Sequence, residues 1–438
     1  MTTLAHATRR SHELIREDLL RPLRSTGRLY WATLCSCLLV ILWAGYAWYV
    51  QLTEGIGVAG IRRPVYWGFY IVNFVFWIGI SHAGTLISAI LRLTDAGWRK
   101  PVTRAAEAIT VFALMIGGLF PIIHLGRAWL FYWLIPYPNE RLLWPNFRSP
   151  LLWDMTAIFG YVTGSVLYLY LPLIPDLAQA AAHTGGWRAK LYRILSLGWK
   201  GSDRAWHALE LAMKGMAVVI LAVAVSVHSV VAFDFSMAIA PMWHSTIFAP
   251  YFVAGAIFSG IAALILAMAS IRRFLHLEDY LRPMHFDNLA KLLLLMSIVW
   301  LYFTAVEHLT VWYGNEHLEL AVLNHRVAGP HAPYFWGMVV CNFVIPFILL
   351  GIRRLRTIRT AIIAGVSVLI GMWLERFLIV VGTLSNPPLP AAWGDYAPSW
   401  VELSITAGTF AAMVFLYLVF VKLFPIIAIW EYEREAEG

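Results

Sequence analysis

The chain has 438 residues, of which 60% are hydrophobic and 13% are charged, and 21 of them are tryptophan. This composition excludes an ordinary water-soluble domain and indicates an integral membrane protein. The formal net charge of +8 fits Lys and Arg in the loops on one side of a membrane better than a nucleic-acid or acidic partner.

The N-terminal segment is polar, Arg-rich and amphipathic. No short apolar stretch within it precedes a small-residue cleavage site, so we expect this segment to be retained. After it come apolar runs long enough to cross a bilayer core of about 30 Å. They predict ten membrane-spanning helices, at 29–50, 66–91, 104–126, 151–173, 207–231, 245–270, 288–313, 334–352, 358–382 and 400–428.

Basic residues predict the orientation of these spans. Lys and Arg are concentrated in the N-terminal segment and in the connections on the same side of the membrane, whereas the connection between the fifth and sixth spans has none. The positive-inside rule therefore places both termini in the cytoplasm, as expected for a multi-pass protein of a bacterial inner membrane. The acidic C-terminal sequence EYEREAEG is expected to be a solvated cytoplasmic end.

An internal repeat is indicated by a register that aligns Trp129 with Trp312 and Trp153 with Trp336 without gaps. The matched spans point the same way, so the repeat is parallel, with its axis along the membrane normal. We therefore predict an all-α fold of two pseudo-symmetric four-helix bundles plus two peripheral helices. The predicted segments are 1–65 with the first span, 66–231, 232–382, and 383–438 with the tenth span and the tail.

The cysteines Cys35, Cys37 and Cys341 form no CxxC, CxxCH or four-cysteine set. This excludes an iron–sulfur cluster or covalent haem held by this chain alone, so a redox metal would come from a partner. A haem held between histidines of facing spans is the less favoured alternative, because His82, His124, His228 and His308 lie at different predicted depths.

Ionisable residues gather at the outer mouths of the third and fourth spans, within 117–156. His124 and Arg127 share a helix face, and Asp154 opens the fourth span. Oxidation of a hydroquinone releases two electrons and two protons, and a histidine and a carboxylate in an apolar pocket suit that chemistry. The alternative remains open that Asp154 caps its helix, Arg127 reaches the headgroups and His124 is an interface histidine.

Further ionisable residues lie inside the predicted spans. His82 and Glu107 in the second and third spans could belong to a proton path, although neighbouring hydroxyls also serve to pack helices. Glu307 and Glu375, beside His308 and Arg376, are costly in a membrane unless paired. They predict either a second polar track or a buried ion pair.

At these positions the sequence resembles the NrfD/PsrC family of quinone-interacting membrane subunits, and within it the ActC type of bacterial alternative complex III. The similarity extends over nearly the whole chain. The stretches that carry it are SHAGTLISAILRL (81–93), RAAEAITVFALMIGGLFPIIHLGRAWLFYWLIPYPN (104–139), WPNFRSPLLWD (144–154), SVHSVVAFDFSMA (226–238), WHSTIFAPYFV (243–253) and LERFLIV (374–380).

The resemblance implies ten helices, a (mena)quinol site near the outer face, and no cofactor held by this chain. Its quinol-contacting residues would be His124 and Asp154, with Arg127 and Tyr251 as neighbours, and its proton tracks would include His82, Glu107, Glu307 and Glu375. The implied partners are an outer-face iron–sulfur subunit, haem c subunits, a second NrfD-like membrane subunit and often a terminal oxidase.

The sequence thus predicts the quinol-oxidising membrane subunit of a respiratory oxidoreductase, which passes electrons to a partner iron–sulfur subunit, with or without proton translocation. The alternatives are a sister quinone-binding subunit without electron transfer and an NrfD/PsrC-type anchor of a molybdopterin oxidoreductase. A secondary transporter is less favoured, because its site should lie at the membrane midplane.

Overall fold

The computed structural model describes residues 12–135 and 147–437, and this part of the chain contains ten helices long and apolar enough to span a membrane. All ten predicted spans are confirmed, as is the all-α multi-pass fold. The helices are α1 (Arg28–Glu54), α2 (Gly68–Leu93), α3 (Thr103–His124), α4 (Pro150–His183), α5 (Asp203–Ser236), α6 (Phe248–Phe274), α7 (Pro283–Gly314), α8 (Ala332–Gly351), α9 (Ile358–Leu384) and α10 (Trp400–Leu423).

The spans pack as two groups of four with a separate pair beside them. Helices α2, α3, α4 and α5 form a first four-helix group, and α6, α7, α8 and α9 form a second. Contacts of α2 with α6 and α9, and of α5 with α6, join the two groups, while α1 and α10 pack on each other outside them. The boundaries between the predicted segments stay predictions. So does the degree of pseudo-symmetry between the two groups.

Helix α2 lies at the centre of the molecule. In its most apolar stretch 94% of the residues are buried within the protein, against 6% in α1. Its close packing on α3 requires a glycine, because a Cβ at Gly84 would lie 2.0 Å from the carbonyl oxygen of Ala106. The packing of α10 on α1 requires a glycine at Gly408 for the same reason, because a Cβ there would clash with Ala44. Small residues at such positions bring membrane helices together where burial from water gives no driving force.

Helix α8 is interrupted by a π-helical turn at Val340–Val344, just before Pro346. Proline has no amide hydrogen, so carbonyl groups upstream of it lose their usual partner. Two hydroxyls from neighbouring helices make up for this. Ser297 of α7 donates to the carbonyl of Asn342 at 2.6 Å, and Ser367 of α9 donates to that of Cys341 at 2.8 Å. Neighbouring helices thus satisfy the irregular backbone, as a membrane interior requires.

At the end predicted to be cytoplasmic, the N-terminal helix His12–Arg24 packs against the C-terminal helix Ile429–Glu437. The prediction of a solvated acidic tail is wrong for Glu431 and Glu433. Glu433 is 8% exposed and pairs with Arg16 at 2.7 Å, and Glu431 is 4% exposed and pairs with Arg99 at 2.9 Å. These ion pairs with basic side chains of distant segments hold the two carboxylates against the rest of the protein.

Candidate quinone site and the buried polar groups

His124 is the last residue of α3 and lies in a corner formed by three helices. Its ring packs edge-on to Tyr70 of α2, with 6.3 Å between ring centroids, and the Tyr70 hydroxyl donates to the side chain of Gln51 of α1. Gln51 in turn donates to the carbonyl of Ile123 at 2.8 Å, one of the backbone acceptors left free at a helix C-terminus.

This corner fixes the end of α3 while leaving His124 with bonding capacity. The Nδ1 atom of His124 is buried and has no hydrogen-bond partner within the described residues. Buried polar atoms in proteins are rarely left unpaired, so such an atom is a candidate to bind a ligand or a water molecule.

Asp154 lies in the second turn of α4 and does not cap it. The N-cap is Ser149, followed by Pro150 at the first helical position, so the alternative that Asp154 caps the helix is wrong. Its carboxyl group instead hydrogen-bonds to that of Asp234 near the end of α5. Two carboxyl groups can form such a bond only while one of them keeps a proton, and like charges this close oppose ionisation of both.

Both side chains of this pair are buried. Asp154 is 5% exposed and Asp234 is 9% exposed, and the Oδ1 atom of Asp154 has no hydrogen-bond partner within the described residues. No lysine or arginine lies against either carboxyl group in that part of the chain. The arrangement therefore has two carboxyl groups in contact and, among the described residues, one acceptor atom without a partner.

Direct contact between His124 and Asp154 is not a feature of the structure over 12–135 and 147–437. No hydrogen bond or ion pair joins the two side chains there. Residues 136–146, which include part of two of the family-like stretches, lie outside the described residues.

Arg127 is exposed at the start of the 3₁₀ helix Ala128–Leu134, where its side chain can reach the headgroups. The roles of all three residues in quinol binding stay predictions.

Deeper in the first four-helix group, His82 of α2 faces His228 of α5. Their ring centroids are 4.4 Å apart, and Tyr161 of α4 packs on the other side of His82 at 4.8 Å. The prediction that these histidines lie at different depths is therefore wrong for His82 and His228. Rings in contact leave no room for an iron atom between them, since each metal–nitrogen bond is about 2 Å long. The absence of haem from this chain remains a prediction.

Glu107 is buried on α3 near the predicted cytoplasmic end. Ser88 of α2 donates to its carboxylate at 2.5 Å, and the guanidinium of Arg92 lies 3.9 Å away. Arg92 also lies 3.7 Å from Glu431 of the C-terminal helix, where a polar cavity of about 360 Å³ opens. Glu107 thus connects to a polar cavity through Arg92.

Hydroxyl groups occupy the stretch between His82 and Glu107. Thr85 donates to Thr110 at 3.1 Å, and Thr110 donates to the carbonyl of Ser81 at 2.7 Å. These bonds hold α2 against α3, so the packing explanation holds for them whether or not protons pass. The proton path itself stays a prediction.

The second four-helix group buries a network of ionisable side chains. Glu307 contacts the Nδ1 atom of His308 at 2.6 Å. Glu375 forms an ion pair with Arg376 and accepts a hydrogen bond from the indole of Trp300 at 2.6 Å. The pair of Glu375 and Arg376 is thus the buried ion pair that the sequence offered as one of two alternatives.

Tyr251 and Arg326 complete this network. The Tyr251 hydroxyl bonds to that of Thr304 at 3.1 Å and faces Glu375. Arg326, from the short helix His317–Val327, donates to Thr383 at 2.6 Å. The structure places Tyr251 among these groups of the second four-helix group, and its predicted part in quinol binding remains a prediction.

Sequence analysis did not predict the pairing of Asp234 with Asp154 or of His228 with His82, and it missed Arg326. Asp234 lies within α5, which continues to Ser236, five residues beyond the predicted end of the fifth span at 231. Arg326 lies on a short helix outside the ten spans. The unbroken apolar spacing up to Ser236 was a usable signal for Asp234, whereas nothing local in the sequence indicates that Arg326 points into the core.

The fold and these buried groups define a multi-pass membrane protein with protonatable side chains held inside two helix groups. The chain belongs to the NrfD family, because the family model described as polysulphide reductase NrfD matches residues 57–387.

Named relatives are components of redox enzymes. The chain is 28% identical over 382 residues to a putative membrane subunit of the dimethyl sulfoxide reductase of Halobacterium salinarum, covering 85% of this chain and 82% of the relative. It is 25% identical to a subunit of the selenate reductase of Mesobacillus selenatarsenatis, with 86% and 90% covered. It is 23% identical to the Hdr-like menaquinol oxidoreductase integral membrane subunit of Archaeoglobus fulgidus, with 87% and 90% covered.

Proposed function

We propose that this chain is the quinone-interacting membrane subunit of a multi-subunit oxidoreductase whose catalytic partner is a molybdopterin enzyme. The observation that carries the proposal is the family membership over 57–387, together with relatives named as reductase subunits. The name of the Archaeoglobus relative, which includes menaquinol, supports a quinol as substrate. Membership of alternative complex III has less support, because it rests on the motif resemblance alone.

The chemistry assigned to this subunit is the oxidation of a quinol to a quinone, which releases two electrons and two protons. The electrons pass to an iron–sulfur subunit at the outer face, and in an alternative complex III they continue to haem c subunits. A second NrfD-like membrane subunit and a terminal oxidase would be present in that assembly. The membrane is then the inner membrane of a bacterium, with both termini of this chain in the cytoplasm.

His124 and Asp154 take the protons in this proposal. The unpaired Nδ1 of His124 accepts a hydrogen bond and then a proton from one quinol hydroxyl. The unpaired Oδ1 of Asp154 orients the substrate or relays a proton, and Asp234 holds the proton that the pair shares. Arg127 adds a positive charge near the outer surface. His82 and Glu107, and Glu307 and Glu375 in the second group, are the residues proposed for proton transfer through the protein.

The test is quinol oxidation by the purified complex with His124→Ala and with Asp154→Asn. Each variant should lose at least about 100-fold in turnover, the range for loss of a general acid or base, while the partner subunits still co-purify. His244→Ala, at an exposed histidine of the same outer side, is the matched control and should be unaffected. Near-normal turnover of either site variant in an assembled complex contradicts the proposed roles.

A further inference from the structure

A long apolar groove lies between α6 and α10, outside the polar sites described above. It has a volume of about 380 Å³, and helices α2, α3 and α9 also contribute to its walls. Helix α10 packs on α1, α2 and α3 and leaves a gap toward α6. On the α6 side the small residues Ala263 and Ala267, one turn apart on the same face, form part of its wall.

The walls offer almost no free hydrogen-bonding group. The three polar side chains that line the groove each donate within the protein: Trp77 to Thr409 at 3.2 Å, Ser270 to the carbonyl of Leu266 at 2.9 Å, and Tyr417 to the carbonyl of Ala105 at 3.0 Å. A quinone ring needs polar partners for its two oxygens, so these walls suit a hydrocarbon chain and not a quinone headgroup.

Positive charges mark one end of the groove, at the side predicted to be cytoplasmic. Arg273 follows Leu266 by seven residues and Ser270 by three, so it lies on the groove-facing side of α6, and it is exposed. Arg21 of the N-terminal helix reaches the same place. Its guanidinium donates to the carbonyls of Leu275, which lines the groove, at 3.3 Å and of His276 at 3.1 Å.

Arg273 is available to an anion. Its neighbour Arg272 lies 4.0 Å from the carboxylate of Glu278, whereas Arg273 has no ion pair within the described residues. A hydrocarbon channel that ends at two arginines near a membrane surface matches a molecule with an acyl chain and a phosphate. Basic pockets between membrane helices on the cytoplasmic side are known to bind anionic headgroups.

We propose that this groove binds an anionic phospholipid, with one acyl chain between α6 and α10 and its phosphate against Arg273 and Arg21. The lipid fills the gap that α10 leaves and ties the outlying pair of α1 and α10 to the second four-helix group. Burial of each further methylene of the acyl chain adds to the affinity, and the arginines select the charged headgroup.

The experiment uses the purified complex, stripped of lipid in detergent and titrated with phosphatidylglycerol or with phosphatidylcholine of identical acyl chains. Native mass spectrometry counts the bound lipid. Wild-type protein should prefer phosphatidylglycerol. Arg273→Gln should weaken phosphatidylglycerol binding about fivefold, as expected for the loss of one surface cation, and leave phosphatidylcholine unchanged. Ala267→Trp should obstruct the groove and weaken binding of both lipids.

Two variants serve as matched controls. Arg353→Gln removes another exposed arginine of the same side, and Val218→Trp adds an indole to another lipid-exposed helix position, on α5. Neither should change binding. Equal binding of the two lipids by wild-type protein, or unchanged binding by Ala267→Trp, overturns the proposal. So does recovery of a quinone in place of the phospholipid, or cross-linking of a partner protein to the Ala267→Cys variant.

Discussion

At the ends of α4 and α5 that are predicted to face outward, Asp154 and Asp234 lie against each other with no lysine or arginine beside them in the described chain. In the second four-helix group, Glu307 lies against His308 and Glu375 against Arg376. A buried carboxyl group without a cation must hold or share a proton, whereas one beside a cation can keep its charge. The first arrangement can exchange protons, and in the second the hydrogen bond from Trp300 of α7 to Glu375 of α9 joins two helices.

The repeat predicted from the sequence sharpens this comparison, because its register aligns His124 of the first group with Glu307 of the second. Within the described residues, His124 keeps a buried nitrogen without a partner, while Glu307 contacts the neighbouring His308 and lies near Arg326. One copy of the ancestral position would then be open to a ligand, and the other would be occupied by the contact with His308.

The largest effect is expected from Asp234→Asn. An amide cannot share a proton with Asp154 as a carboxyl group does, so quinol oxidation should fall by about 100-fold or more if the pair acts as one unit. Asp154→Asn combined with Asp234→Asn should then be little worse than either single change. Turnover of the assembled complex measures both, and fully multiplicative losses would show that the two residues act separately.

Glu375→Gln tests the other half of the comparison. It leaves Arg376 buried without its counter-charge, and the loss of one partner of a buried pair costs about 3–5 kcal/mol. Thermal unfolding of the purified complex should therefore shift strongly downward, and the double change Glu375→Gln with Arg376→Met should recover part of the loss. A variant with normal stability but no turnover would instead support the proton-transfer role.

The C-terminal helix offers a matched pair of changes of intermediate size. Glu431→Gln removes a buried carboxylate that contacts Arg99 at 2.9 Å, which should cost about 1.5–3 kcal/mol. Arg434→Gln removes a half-exposed partner of Glu210 and should cost less than about 1 kcal/mol. Equal shifts of the two variants in thermal unfolding would mean that burial of the pair does not matter.

The smallest effect concerns His331, which immediately precedes α8. Burial, with positive charge on His325 and Arg326, lowers the pKa of His331 to about 4 from its ordinary value of 6.5. The unfolded chain therefore binds more protons between these values, so stability should fall as the pH drops from about 6.5 to 4. Since the side chain is partly exposed, its share is below about 1 kcal/mol. His331→Asn should flatten the melting-temperature profile over that window, and an unchanged profile would falsify the assignment.

The spans could be predicted from the sequence because a membrane interior demands long apolar runs with every backbone group bonded inside a helix. Their ends could not, since a helix continues into the polar region as long as local bonds allow. Helix α4 extends to His183 and α5 reaches Ser236, beyond the predicted limits at 173 and 231. Because the predicted fifth span ended at 231, Asp234 fell in the connection after it and not in a helix.

Partnerships between helices were the least predictable part. Helices that are apolar on all sides carry little periodicity, so the sequence does not say which face of α2 meets which face of α5. The contact between His82 and His228 depends on that rotation. In contrast, Glu375 and Arg376 are neighbours in the chain, and their ion pair was among the predicted alternatives because local sequence already placed them together.

Because of the π-helical turn at Val340–Val344, the geometry of α8 depends on the number of residues in that turn as well as on their identity. A π-helical turn accommodates one more residue than an α-helical turn, so removal of a single residue there would let the helix close into a regular spiral. The outer half, which begins at Ala332, would then be rotated by about 100° relative to the inner half. Phe335 and Met338, which face Glu307 and Glu375, would turn away, so a one-residue deletion would disturb this interior more than most substitutions.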